Sequence, residues 1–191
     1  MPFIPGQNIV VREIDDSHWE LVEPITYQGN TDTWTIEPGF KTDFASVPRP
    51  LVWLIPRYGR YTKAAILHDF LWITPAVSRA DANGVFRRAM RELGVPFVRR
   101  WMMWGAVGLA STVKDPGGEL RPGILHVVGL FAVVLPSLAF VAAPFVVVSF
   151  WLLLDFVVET LAYPLAWVTN RFKPVGRRTR VNRPQLLWKL S

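Results

Sequence analysis

Two groups of polar residues in the first half of the chain have the types that acid–base chemistry needs. Asp43, Ser46 and Arg49 lie in a segment punctuated by Pro48, Pro50 and Pro56. His68 and Asp69 follow in an apolar stretch, and Arg79 and Asp81 come shortly after. His68 would be the general base, because imidazole titrates near neutral pH. Asp43 or Asp81 would orient it. Ser46 could be the nucleophile, although it lacks a G-x-S-x-G elbow; alternatively water is activated directly. A metal-assisted version would gather His68 with Asp43, Asp69 or Asp81 around a divalent cation. The spacing matches no H-E-x-x-H signature, so the metal stays unassigned, and no other cofactor is expected. Arg49 and Arg79 are the candidate binding residues. The same set could equally form a structural network, since buried acids need partners. Either way Asp43, His68 and Asp81 are expected to converge, with Arg49 or Arg79 nearby.

The elements that must hold these residues can be read from periodicity. Residues 8–37 read as short strands: Ile9–Val11, Trp19–Val22 and Thr33–Ile36, with apolar–polar alternation in the last two. Gly29-Asn30 and Pro38-Gly39 supply turns. Residues 40–60 form a long connection, with one short helical turn over Leu51–Ile55. Tyr61–Trp72 is a helix whose inward face includes Ala64, Ala65, Leu67, His68, Leu71 and Trp72. Asp69 is rotated about 100° from His68, so the two side chains can flank one cleft but cannot point the same way. Ser78 starts the next helix, with Asp81 completing a capping box. Ala82, Val85, Phe86, Ala89, Met90 and Leu93 are its buried stripe, and Gly94 and Pro96 stop it. Val98–Ser111 makes a third, strongly apolar helix.

The second half is different. The chain has 191 residues and 51% hydrophobic content, much of it after Gly123. Residues 114–123 read as a linker. The 45 residues from Ile124 to Val168 contain only His126, Asp155 and Glu159 as acids or histidines. A bilayer crossing needs about 20 apolar residues. The stretch reads as a helical hairpin, 124–143 and 145–168, turning near Pro144; a single crossing over 131–154 is the alternative. From Arg171 onward seven basic residues stand without an acid, leaving residues 1–170 at −1 of the total +6. A basic tail beside an apolar segment suits a membrane surface. Nucleic acid is the weaker partner, because few aromatics interleave the tail. Cysteine is absent, which removes disulfides and thiolate metal sites. The opening MPFIPGQNIVVRE has no basic leader or long apolar core, so no cleaved secretory signal is expected.

The reading is therefore α+β. A small N-terminal antiparallel sheet with two or three helices spans 1–113. A linker, hydrophobic transmembrane helices (124–168) and a basic tail (169–191) follow.

The runs Thr42-Asp43-Phe44-Ala45-Ser46-Val47-Pro48-Arg49 and Ala64-Ala65-Ile66-Leu67-His68-Asp69-Phe70-Leu71-Trp72, followed by Ser78-Arg79-Ala80-Asp81-Ala82, resemble a phage and prophage family. It is catalogued as domain of unknown function 1353. The resemblance covers roughly residues 5–95. It implies a phage or prophage origin and no particular activity. The sequence favours a non-enzymatic component that docks on a membrane or within a virion or tail. A membrane-tethered hydrolase acting on envelope lipid or peptidoglycan is the alternative. Expected partners are membrane lipid and other phage proteins. The expected location is the membrane, with the N-terminal domain in the cytoplasm, or the virion.

Overall fold

The structure, a computed structural model, describes residues 3–45, 47–74, 77–114, 124–174, 176, 179 and 181–184. Ser46, linker residues 115–123 and most of the tail beyond 174 lie outside the described residues.

Five short strands open the chain: β1 (Val11–Glu13), β2 (Trp19–Leu21), β3 (Ile25–Gln28), β4 (Thr33–Ile36) and β5 (Lys41–Thr42). They form two antiparallel sheets rather than the one expected. One has the order β1-β2-β5 and the other is the β3-β4 hairpin. Ile25–Gln28 was not among the expected strands; it pairs residue for residue with Thr33–Ile36. Its alternation puts Ile25 and Tyr27 fully inside. The turn after it requires glycine at position 29. A Cβ there would stand 2.8 Å from the Trp34 ring and 2.9 Å from the Asp32 carbonyl oxygen. The β1–β2 turn is closed by Asp15, whose Oδ1 accepts from the amides of Ser17 and His18, both at 2.8 Å. The Ser17 amide first, then the side chains of Ser17 and His18, hold the Asp15 carboxyl well below the usual carboxylate range.

A 3-10 turn at Arg49–Leu51, slightly earlier than the expected helical turn, leads into the helices. They are α1 (Thr62–Ile73), α2 (Arg79–Glu92), α3 (Phe97–Lys114) and α4 (Ile124–Arg171). Ser78 caps α2 as its sequence suggests: Oγ accepts from the Asp81 amide at 3.1 Å and donates to Asp81 Oδ2 at 2.6 Å. Gly94, at φ +70°, ends it, and the Val95 amide reaches back to the Met90 carbonyl at 3.0 Å. The core joins Leu21, Ile25, Tyr27 and Ile36 of the sheets to Ala64–Leu67 and Leu71 of α1 and to Ala82, Phe86, Ala89 and Met90 of α2. Each large side chain removed from water there contributes roughly 1.5–3 kcal/mol. Tyr27 anchors sheet to helix, donating to Glu92 Oε2 at 2.9 Å.

The expected hairpin after residue 123 is absent. Ile124–Arg171 is one helix of 48 residues with Pro136, Pro144 and Pro164 inside it. A proline removes one backbone donor and crowds one carbonyl, but does not reverse a chain. Reversal needs a connecting loop, and Ala142-Ala143-Pro144-Phe145 offers no other turn residue. One helical segment, Leu135–Arg171, is long and apolar enough to cross a membrane, and its apolar window is not buried against the rest of the protein.

Candidate functional site

The polar residues of the first half are joined by two short chains of hydrogen bonds, which differ from the expected cluster. The first begins at Thr42, the last residue of β5. Its Oγ1 accepts from the Phe44 amide at 2.9 Å and donates to Asp69 Oδ2 on α1 at 2.9 Å. Phe44 needs that support. It is the only described non-glycine residue at positive φ, +64°. A left-handed backbone costs roughly 1–2 kcal/mol for a residue with a Cβ. The Thr42 hydroxyl and a stacked contact with Trp19, ring centroids 4.8 Å apart, offset that cost.

The second chain runs from His68 across three helices. His68 Nε2 lies 2.9 Å from Asn83 Oδ1 on α2. Asn83 Nδ2 donates to Ser111 Oγ on α3 at 3.2 Å, and Ser111 donates to the Val107 carbonyl at 2.7 Å. The direction of this chain assigns the tautomer. Ser111 uses its hydrogen on a carbonyl and accepts from the Asn83 amide, so Oδ1 faces His68 and Nε2 carries the hydrogen. Nδ1 is then the basic nitrogen. The imidazole packs between Phe86 and Trp72, with centroids at 5.0 and 5.7 Å. Burial pushes its pKa down, against a smaller opposing effect of the Asn83 bond. His68 is thus a neutral imidazole at neutral pH.

The expected acid partners of His68 are replaced by an amide. Asp81 is exposed and serves the α2 cap. It lies on the exposed side of α2, because the stripe that turns inward carries Ala82, Asn83 and Phe86. Asp43 is half-buried just beyond β5, and Asp69 binds Thr42. Arg49 is half-buried at the 3-10 turn. Arg79 places its guanidinium 4.9 Å from the Trp72 ring, one turn of helix from His68. Ser46 lies outside the described residues. No group of three or more His, Asp or Glu among the described residues could hold a metal ion.

Sequence reasoning missed Asn83, Ser111 and Arg57. The first two had a signal: a polar residue at helical spacing within an otherwise apolar buried stripe. Arg57 is buried under Trp19, 5.3 Å from its ring, and donates to the Ser17 carbonyl at 3.4 Å. Nothing in its loop distinguishes it from Arg60, which is exposed.

Residues 19–107 match the model of a family described as "Protein of unknown function (DUF1353)". The matched segment begins at β2 and ends within α3, so it contains both hydrogen-bond chains except Ser111. A curated relative, "Uncharacterized protein y4jT" of Sinorhizobium fredii (strain NBRC 101917 / NGR234), is 33% identical over 76 residues. That alignment covers 39% of this chain and only 23% of the relative. No solved structure matches.

Proposed function

We propose that this chain, whose residues 19–107 match a family of unknown function, is a membrane-anchored docking protein. The α+β domain is the docking module and α4 is the anchor. One observation carries this reading. Along α4 the apolar side chains of Phe140, Val146, Phe150, Trp151, Leu161 and Leu165 are all turned outward. A continuous apolar surface of that length is an aggregation hazard in water and is at home in hydrocarbon. The stretch from Leu135 to Leu154 contains no ionisable side chain, and its roughly 20 residues match the roughly 30 Å of a bilayer core. Asp155 and Glu159 then fall at the interface, where charge is cheap. The phage or prophage setting, and a virion or tail protein as the docked partner, rest on the resemblance of the TDFASVPR and AAILHDFLW motifs alone.

In this reading the motif residues serve rigidity. Thr42–Asp69 ties the loop to α1, and His68–Asn83–Ser111 ties α1 to α2 and α3. The test is fractionation. Expressed in bacteria, the full chain pellets with membranes and resists high-salt and carbonate washes, while a chain ending at Lys114 does not. Recovery of the full chain from the cytosol without detergent overturns the proposal.

A hydrolase acting on envelope lipid or peptidoglycan is the second reading, favoured by the neutral His68 with Nδ1 as its basic nitrogen. His68→Asn separates the two. Lost hydrolysis at unchanged thermal stability supports the enzyme. Lowered stability with no hydrolysis by the parent chain supports the structural tie.

A further inference from the structure

α2 and α3 enclose a groove of about 550 Å³ that neither hydrogen-bond chain uses. Its walls carry Arg87, Arg88 and Arg91 from α2 and Arg100 from α3, with Trp101 and Phe97 completing the α3 side. Asp81 is the one acid in the lining, and it is already bonded to Ser78. None of the four arginines forms a salt bridge with an acid among the described residues. Glu92, next to Arg91, accepts from Tyr27 instead. Four cations thus face one groove with little to neutralise them, an arrangement that repels itself unless an anion is present.

Two of these side chains are held in place. The Arg87 guanidinium carbon lies over the Trp101 ring, 4.8 Å from its centroid, and 5.7 Å from that of Trp104, and the guanidinium carbon of Arg100 lies 5.5 Å from the Phe97 centroid. A guanidinium held against an aromatic ring keeps N–H groups for a forked bond to an oxyanion. Beneath Arg87, the Trp101 indole N–H is buried and donates to no acceptor among the described residues. Gly84 lines the groove, and a Cβ on it would meet nothing within 4 Å.

We propose that the α2–α3 groove is a binding site for a phosphate group, with Arg87 and Arg100 as its positioned ligands. The phosphate could come from a lipid headgroup or from a soluble phosphate, and the groove's volume suits either. The site stands apart from the docking proposal, because phosphate can be offered to the chain whether or not α4 crosses a bilayer.

The test uses the full chain in non-ionic detergent micelles, titrated calorimetrically with inorganic phosphate and with dihexanoyl phosphatidylglycerol. At least one binds saturably. Binding of both assigns the site to phosphate in general; binding of the lipid alone assigns it to the headgroup. Arg87→Gln with Arg100→Gln weakens binding at least about tenfold, the loss expected for charge-assisted bonds. Gly84→Leu weakens it by filling the groove without changing charge. Arg99→Gln, a neighbouring α3 cation outside the groove, leaves it unchanged. The proposal is overturned if neither probe binds, if the two groove variants bind like the parent, or if Arg99→Gln costs as much as they do.

Discussion

Thr42 is the residue on which the loop motif turns. It satisfies the amide of a left-handed Phe44 and grips Asp69 through the same oxygen. Thr42→Val keeps the shape and removes both bonds, leaving the Asp69 carboxylate one donor short. The expected cost is about 1–3 kcal/mol by denaturant unfolding in detergent, with Thr42→Ser close to the parent. Equal stability of the valine and serine variants would contradict this role. His68 gives a pH signature. Its folded pKa is depressed below the ordinary value of about 6.5. The unfolded chain therefore binds the extra proton first as pH falls. The stability that neutral His68 contributes is complete above about 6.5 and is lost progressively below it, toward the folded pKa. His68→Asn should flatten the stability profile in that window; an unchanged slope would assign the acid sensitivity elsewhere. These residues were only half legible. The sequence marks His68 and Asp69 as placed, because polar side chains interrupt an apolar stretch. It does not identify their partners, because a threonine hydroxyl or a buried asparagine satisfies them as well as the carboxylates do.

The helices were more legible than the strands. Apolar spacing, the Ser78 cap and the Gly94 stop are local, and α1 to α3 form within a few residues of where those signals put them. β5 has two residues, too few for any alternation to show, while β3 does alternate, with Ile25 and Tyr27 inward, yet is missing from the expected strands; pairing across the chain defines both. The long helix was misread for a related reason. Proline marks a turn in water, where freed backbone groups can be hydrated. Within an apolar helix the surrounding backbone keeps its ladder and the residue is tolerated. An element-scale prediction follows from Gly84. It sits inside α2 on an exposed face, where a methyl group meets nothing within 4 Å. Gly84→Ala should raise stability by about 0.5–1 kcal/mol in thermal unfolding, since alanine loses less conformational freedom in a helix. A loss of stability would mean that the groove is narrower in solution.

At the scale of the whole molecule, replacing a hairpin by one helix changes sidedness. In the proposed single crossing, the α+β domain and the basic tail occupy opposite faces of the membrane. Reporter fusions at Met1 and Ser191 should then report different compartments, and the same compartment for both would restore the hairpin. Positive charge prefers the cytoplasmic side, and here the cationic α2–α3 surface and the cationic tail compete for it. Length has a further consequence. At about 1.5 Å per residue, the 48-residue α4 is roughly 72 Å long, more than twice a typical hydrocarbon core. Leu135–Leu154 alone fills that core, so the remaining turns of α4 lie beyond it, and tilting or bending at Pro136, Pro144 or Pro164 sets the angle at which they leave. An apolar span that matches one thickness must tilt in a thinner bilayer and stand upright in a thicker one. Reconstituted in lipids of increasing acyl length, its helix axis should move toward the membrane normal in oriented circular dichroism, and a fixed angle would mean that α4 does not take its orientation from the lipid.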